Sequence, residues 1–394
     1  MAIAEKIKNF MDRSSWIRKM FEEGADLKAR LGPENVYDFT LGNPDVYPPE
    51  VVEEELVKII QEHQPMKYGY MPNSGYPETK EAVAGTLSSE QQVTVPADSV
   101  VMTCGAGGAL NVIFKTILNP GDEVISPRPY FVEYNFYVDN NGGVLKTADP
   151  LEDFTLNLEA IEAEITGKTK AVIINSPNNP SGAIFPEDQI RDLGKLLEKK
   201  SAEIGHPIYL VSDEPYRKII YDDAVVPPVF PFYRNSIIAN SYSKELSLAG
   251  ERIGFLALNP EAEEFGSLAA GFLFCNRILG FVNAPGIMQR LIARIQGAAI
   301  DIAQYKHKRD LLYDGLVEAG FNLTKPKGAF YLFPQSPISD DVQFVRALQT
   351  YNILAVPGSG FGGPGYFRLA YCIDDASIER SLPVFKKVGE RFFG

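Results

Sequence analysis

The order of its segments predicts that this chain is an α/β protein. A large domain on a mostly parallel, doubly wound sheet is expected beside a smaller α+β domain built from the N- and C-terminal segments. Three observations support this. From about residue 98, short apolar runs alternate with amphipathic helical stretches. Several of those runs are apolar without alternation, the mark of strands covered on both faces. Near Asn283-Ala284-Pro285-Gly286 the pattern changes to a long helical stretch followed by short, aromatic-rich strands. The expected division is 1–48, 49–286 and 287–394, the first and last segments together forming the small domain.

Taken in order, residues 1–32 place apolar side chains at helical spacing (Ile7, Phe10, Met11; Trp16, Ile17, Met20, Phe21) and stop at Gly32-Pro33. Turn residues follow, Leu41-Gly42-Asn43-Pro44-Asp45 and Pro48-Pro49, before a helix over Glu50–Gln61. Strands are expected at Val100–Thr103, 123–126, 171–175, 208–212, 236–240 and Gly254–Leu258. Helices between them include 109–118, 187–199 and 261–272. A helical stretch over 287–319 leads into a strand-like run at 327–333. A helix at 341–350 and strands at 353–356 and 367–371 complete the chain.

With 394 residues, 45% of them hydrophobic, there is ample material for such a core. A net charge of −13 argues against non-specific binding to nucleic acid or anionic membranes. Cys104, Cys275 and Cys372 lie far apart and form no CxxC pair, which reads as free thiols in a reducing compartment. The first thirty residues mix acids and bases, unlike a signal peptide, and the best apolar run, 268–282, is broken by Asn276 and Arg277. A soluble, cytoplasmic protein is expected. His63, His206 and His307 are not at ligand spacing, so no metal site is expected.

In an open parallel sheet, ligands bind beyond the C-terminal ends of the strands, so the polar residues there are the candidates. Lys244 follows the apolar run Ile237-Ile238-Ala239, with Ser241 and Ser243 before it and Arg252 eight residues on. A lysine that holds an aldehyde beside hydroxyls and an arginine that hold a phosphate suggests pyridoxal phosphate. An ordinary loop lysine is the alternative. Asp213, in Ser212-Asp213-Glu214-Pro215-Tyr216, ends a buried strand, where a carboxylate is costly unless it meets a cation. A protonated pyridine would serve, with Tyr216 donating to a ring oxygen; a helix cap is the alternative. Cys104-Gly105-Ala106-Gly107-Gly108 opens a helix, an arrangement that suits an anion or simply a tight turn. Asn175, Asn178 and Asn179 crowd one rigid loop with Pro177 and Pro180, and one of them could point at a ligand hydroxyl. Arg368 interrupts an apolar strand and reads as a carboxylate clamp, or as a side chain that snorkels.

Taken together, these residues resemble the class I/II aminotransferases of pyridoxal-phosphate fold type I, aspartate aminotransferase-like, over nearly the whole chain. The match runs from Leu41-Gly42-Asn43-Pro44 through Tyr68-Gly69-Tyr70 and 176–182 to Arg368. The resemblance implies a ping-pong Schiff-base transfer of an amino group between an L-amino acid and a 2-oxo acid. By it, Lys244 would be the Schiff-base lysine and proton shuttle, Asp213 the partner of the pyridine nitrogen, and Asn179 and Tyr216 the donors to the ring oxygen. Tyr130 would stack on the ring. Gly105, Ala106, Gly107, Ser241, Ser243 and Arg252 would hold the phosphate. Tyr70 would reach the phosphate of a neighbouring subunit, which makes a homodimer part of the site, and Gly42 and Arg368 would hold the substrate α-carboxylate. The same motifs also fit a pyridoxal-phosphate lyase or decarboxylase, or a non-enzymatic regulator on this fold. Arg128 and Arg277 stand open as binders of a second carboxylate, and the substrate is not specified.

Overall fold

The computed structural model describes residues 3–394, the side chains of residues 12–22 excepted. The apolar positions expected at Trp16, Ile17, Met20 and Phe21 therefore lie outside the described residues. The described residues form twelve strands: β1 Tyr37–Asp38, β2 Val100–Thr103, β3 Glu123–Pro127, β4 Val144–Ala148, β5 Thr169–Asn175, β6 Tyr209–Asp213, β7 Ser236–Ser241, β8 Gly254–Leu258, β9 Tyr331–Leu332, β10 Ile353–Leu354, β11 Val356–Pro357 and β12 Phe367–Ala370. The chain divides into two compact units, one of residues 46–302 and 327–329, the other of residues 1–45, 303–326 and 330–394.

The larger unit is built on a seven-stranded sheet of order β2-β8-β7-β6-β5-β3-β4. Five neighbouring strands, β4, β3, β5, β6 and β7, run parallel, and β8 runs antiparallel to both β7 and β2. The apolar strand runs sort their side chains to two faces with a period of two, as a pleated strand must. Val101, Val211, Ile237, Ala239 and Leu256 pack with helices Gly105–Ile117 and Phe265–Ile278 on one face. Val100, Met102, Ile238 and Phe255 join helices Glu50–Gln61, Pro77–Gln91 and Gly286–Arg294 on the other. Further along that face Ile125, Val172, Ile174 and Leu210 meet helix Glu187–Ile204. Burial on both sides explains why these runs lack alternation.

Three expectations need correction. The helical stretch over 287–319 is two helices, Gly286–Arg294 and Ile302–Glu318, separated at a turn where Gly297 takes φ +88°. The first lies with the larger unit, because Met288, Leu291 and Ile292 are buried in its core. Strand β4 was not expected. It pairs with β3 at the sheet edge, and its half-exposed residues carry no apolar run. The 327–333 run contributes only the two-residue strand β9.

The smaller unit holds the three-stranded antiparallel sheet β11-β12-β9 and the parallel pair β1-β10. Its core is aromatic: Phe321, Phe344, Phe367 and Phe385 meet edge-on or tilted at centroid distances of 5.1–6.2 Å. Among the described residues no helix is long and apolar enough to cross a membrane.

Candidate active site

Sheet register, rather than sequence proximity, assembles the candidates in the larger unit. Asn175 pairs with Asp213 across β5 and β6, Asp213 pairs with Ala239 across β6 and β7, and Gly254 stands opposite both Ser241 and Thr103. The residues that follow β2, β5, β6 and β7 are therefore set along one edge of the sheet.

Asp213 ends β6 and no helix starts there, which removes the helix-cap alternative. Its side chain is buried, and Oδ2 accepts a 2.5 Å hydrogen bond from the Tyr134 hydroxyl. Its other oxygen, Oδ1, is buried without any hydrogen-bond partner. Burial pushes the carboxyl up to about 7; the Tyr134 bond opposes that rise and the neighbouring Glu214 adds to it. A buried carboxylate oxygen with no donor is costly, and a cation at Oδ1 would remove the cost.

Lys244 is half-buried in the short helix Tyr242–Glu245 immediately after β7, flanked by the buried Ser241 and Ser243. The turn after β2 is the start of helix Gly105–Ile117 itself, four residues earlier than the sequence suggests. Gly105 takes φ +71°, and a β-carbon there would stand 2.7 Å from the Arg252 guanidinium. Arg252 is exposed, in a left-handed conformation, with one guanidinium nitrogen donating to the Ala249 carbonyl at 3.1 Å. Backbone N–H groups at a helix start beneath an arginine form a cradle for an anion such as a phosphate.

The loop after β5 is fixed by its own amides. Asn175 donates to the Asp213 carbonyl at 2.8 Å and accepts from the Asn179 N–H at 2.7 Å. Asn178 accepts from Ser181 and donates to the Pro129 carbonyl, which ties this loop to the one carrying Tyr130. Tyr130 is half-buried and its hydroxyl exchanges hydrogen bonds with Asn135. Asn179 and Tyr216 are buried, while Tyr70 is 90% exposed.

The smaller unit gathers Gly42 and Arg368. Arg368 is buried on β12, donates to the Thr40 carbonyl at 2.7 Å, and lies 4.6 Å from the centroids of both the Tyr331 and Phe361 rings. This held guanidinium is not a snorkelling one. At Gly42 a β-carbon would collide with the Tyr331 hydroxyl, so any larger residue would have to displace that ring. Of the two arginines left open, Arg128 is ion-paired with Asp149, and Arg277 is exposed with its guanidinium 5.3 Å from Phe274 on its own helix.

Comparison with known proteins decides the family. The family model for aminotransferase class I and II matches residues 34–384. The chain belongs to that family. It is a pyridoxal-phosphate-dependent aminotransferase, a transferase acting on an amino acid and an oxo acid. It is 32% identical to a probable aspartate aminotransferase of Methanocaldococcus jannaschii over 98% of this chain and all of that protein. It is also 32% identical to the aspartate/prephenate aminotransferase of Thermus thermophilus, over 92% of this chain and 93% of that one. Among solved structures, an amino transferase from Eubacterium rectale aligns over both full chains with a TM-score of 0.96 at 39% identity. The Thermus thermophilus aspartate aminotransferase with maleate aligns over 94% of this chain and 95% of that one, TM-score 0.80, 29% identity.

The residues present fit this aminotransferase's cofactor. Asp213 Oδ1 offers a buried anionic acceptor for a protonated ring nitrogen, and the Gly105 turn under Arg252 offers an anion cradle. Two residues of this site escaped sequence reasoning. Tyr134 donates to Asp213, and the Tyr137 hydroxyl lies 2.9 Å from where a β-carbon on Gly107 would stand. Both are on helix Tyr134–Asn140, and only their spacing of three, which puts them on one face, could have drawn attention to them.

Proposed function

We propose that Lys244, Asp213 and Tyr216 are the catalytic residues of this aminotransferase and that Arg368 holds the substrate α-carboxylate. The observation that carries this reading is the buried, unpartnered Oδ1 of Asp213 on the same sheet edge as Lys244. Cofactor binding belongs to the larger unit. Ser241, Ser243, Arg252 and the Gly105-Ala106-Gly107 backbone would hold the phosphate, Tyr130 would cover the ring, and Asn179 and Tyr216 would donate to the ring oxygen. Gly42 and Arg368 in the smaller unit would bind the substrate carboxylate.

When bound, pyridoxal phosphate supplies a carbonyl that takes the amino group and a ring that accepts the electron pair left at the α-carbon. The chain supplies the rest. The Asp213 carboxylate would hold a proton on the ring nitrogen. Lys244 would act as the base that takes the proton from the substrate α-carbon and, protonated, as the acid that gives it back. Arg368 would hold the substrate carboxylate bidentately.

The amino donor we put first is aspartate, the substrate in the names of several relatives between 31% and 33% identical. A homodimer is part of the proposal, because Tyr68 and Tyr70 are large aromatic side chains left exposed beside the exposed Met66. We place the protein in a reducing cytoplasm on its three free cysteines.

The test is the absorbance spectrum of the cofactor-loaded protein before and after each of a panel of single amino acids. Conversion of the visible band to a near-ultraviolet one by aspartate supports this reading, and conversion by another amino acid replaces aspartate. A band that no amino acid shifts would overturn the proposed roles of Lys244 and Arg368.

A further inference from the structure

The Asp213 side chain has one hydrogen bond, and its donor is Tyr134 at 2.5 Å from Oδ2. Both side chains are buried, so no solvent competes for the bond. We propose that Tyr134 is a positioning residue that keeps the proton shared between Asp213 and the cofactor ring nitrogen on the nitrogen. This rests on the reading that Oδ1 of Asp213 faces that nitrogen.

The argument is one of competing bases. A carboxylate and a pyridine nitrogen in contact hold one proton between them, and whichever anion or neutral base is better solvated decides where it stays. Burial disfavours the carboxylate, and so does the Glu214 carboxyl just beyond the end of β6. A donor to Oδ2 favours the carboxylate and so moves the proton to the nitrogen. The other titratable groups around the pair are Tyr137 on the same helix as Tyr134 and Tyr216 in the turn after β6; Glu133 and Arg252 face Tyr137. Tyr134 itself is held as a neutral phenol, because burial and the Asp213 charge push its ionisation far up. It therefore acts as a donor at every working pH. Its helix is seated by Tyr134 and Val138, both buried against the sheet, so the phenol keeps its place.

The experiment reads the nitrogen directly. Cofactor labelled with 15N in the ring is bound to wild-type protein, Tyr134→Phe and Asp213→Asn, and the ring-nitrogen chemical shift is followed against pH. The wild-type nitrogen is expected to stay protonated across the range. In Tyr134→Phe its pKa should fall by about one to two units, the effect of one lost bond to a charged group, and in Asp213→Asn it should fall further. The Tyr134→Phe variant should also lose kcat at alkaline pH, with KM for the amino acid little changed. Near-ultraviolet circular dichroism of the loaded variant checks that the aromatic core is intact. If Tyr134→Phe titrates like wild type while Asp213→Asn is shifted, Tyr134 only fills space and the proposal fails. If Asp213→Asn also leaves the titration unchanged, the reading of Asp213 itself fails.

Discussion

Asp213 and Glu214 are adjacent in the chain, equally buried, and treated differently by the fold. Glu214 accepts from the Ser212 hydroxyl at 2.7 Å and from the Arg217 guanidinium at 3.1 Å. Arg217 in turn reaches Glu90, and Lys218 links Glu90 to the buried Glu245 beside Lys244. Asp213 has a tyrosine on one oxygen and nothing on the other. The comparison separates two uses of a buried acid. Glu214 is neutralised inside the protein and serves the fold, whereas Asp213 leaves one buried oxygen without a donor, the feature on which its proposed role rests.

The largest expected effect concerns Lys244, the proposed base on the same sheet edge as Asp213. Lys244→Ala should abolish turnover while circular dichroism and the melting profile stay those of a folded protein; normal turnover would end the assignment. Next, Asp213→Asn should lower kcat on the order of 10²–10³-fold, as loss of one preorganised charge contact does. The apo protein should be no less stable than wild type. Glu214→Ala should show the reverse emphasis. Denaturant melts should show a loss of about 3 kcal/mol, because breaking a buried pair strands Arg217. If both variants lose stability equally, the two acids are not used differently.

A smaller effect is the pH dependence of apo stability. Asp213 and Glu245 are each pushed up to about 7, mainly by burial. The native state then keeps protons that the unfolded chain releases near pH 4. Their contribution is full below pH 4 and is lost as pH rises towards about 7, so apo stability should decline across that window and then level. Asp213→Asn should remove part of the slope, and an unchanged slope would mean that Asp213 is ionised throughout. The smallest effect is Gly105→Ala, where a side chain meets Arg252 at φ +71°. Cofactor affinity, followed by fluorescence titration, should fall about tenfold for a strain of about 1–2 kcal/mol.

Several candidates in the larger unit that the sequence announced share one property: they lie at or just after the end of an apolar strand. Asp213, Lys244, Asn179 and the Gly105 turn were proposed that way, because strand ends in a parallel sheet mark where ligands approach. Tyr134 could not be found so. It lies 79 residues before Asp213, on a seven-residue helix with no motif of its own, and only the packed sheet brings it to the carboxylate. Strand β4 was hidden for the opposite reason, since an edge strand with half-exposed residues has no hydrophobic pattern to display. Gly105–Gly108 reads as loop by propensity, yet forms the first turn of a helix because the apolar face from Ala109 to Ile117 is buried behind it.

The reversal of β8 has a mechanical consequence. Because β8 is hydrogen-bonded back against β7, with the Tyr242 N–H donating to the Ile253 carbonyl at 3.1 Å, the segment carrying Lys244 and Arg252 leaves and re-enters the sheet at one place. The ladder acts as a splint across the mouth of that loop. Residues inserted among 246–250 would bulge outward and leave both anchored ends where they are, whereas a slip of one residue in β8 would turn its buried faces inside out.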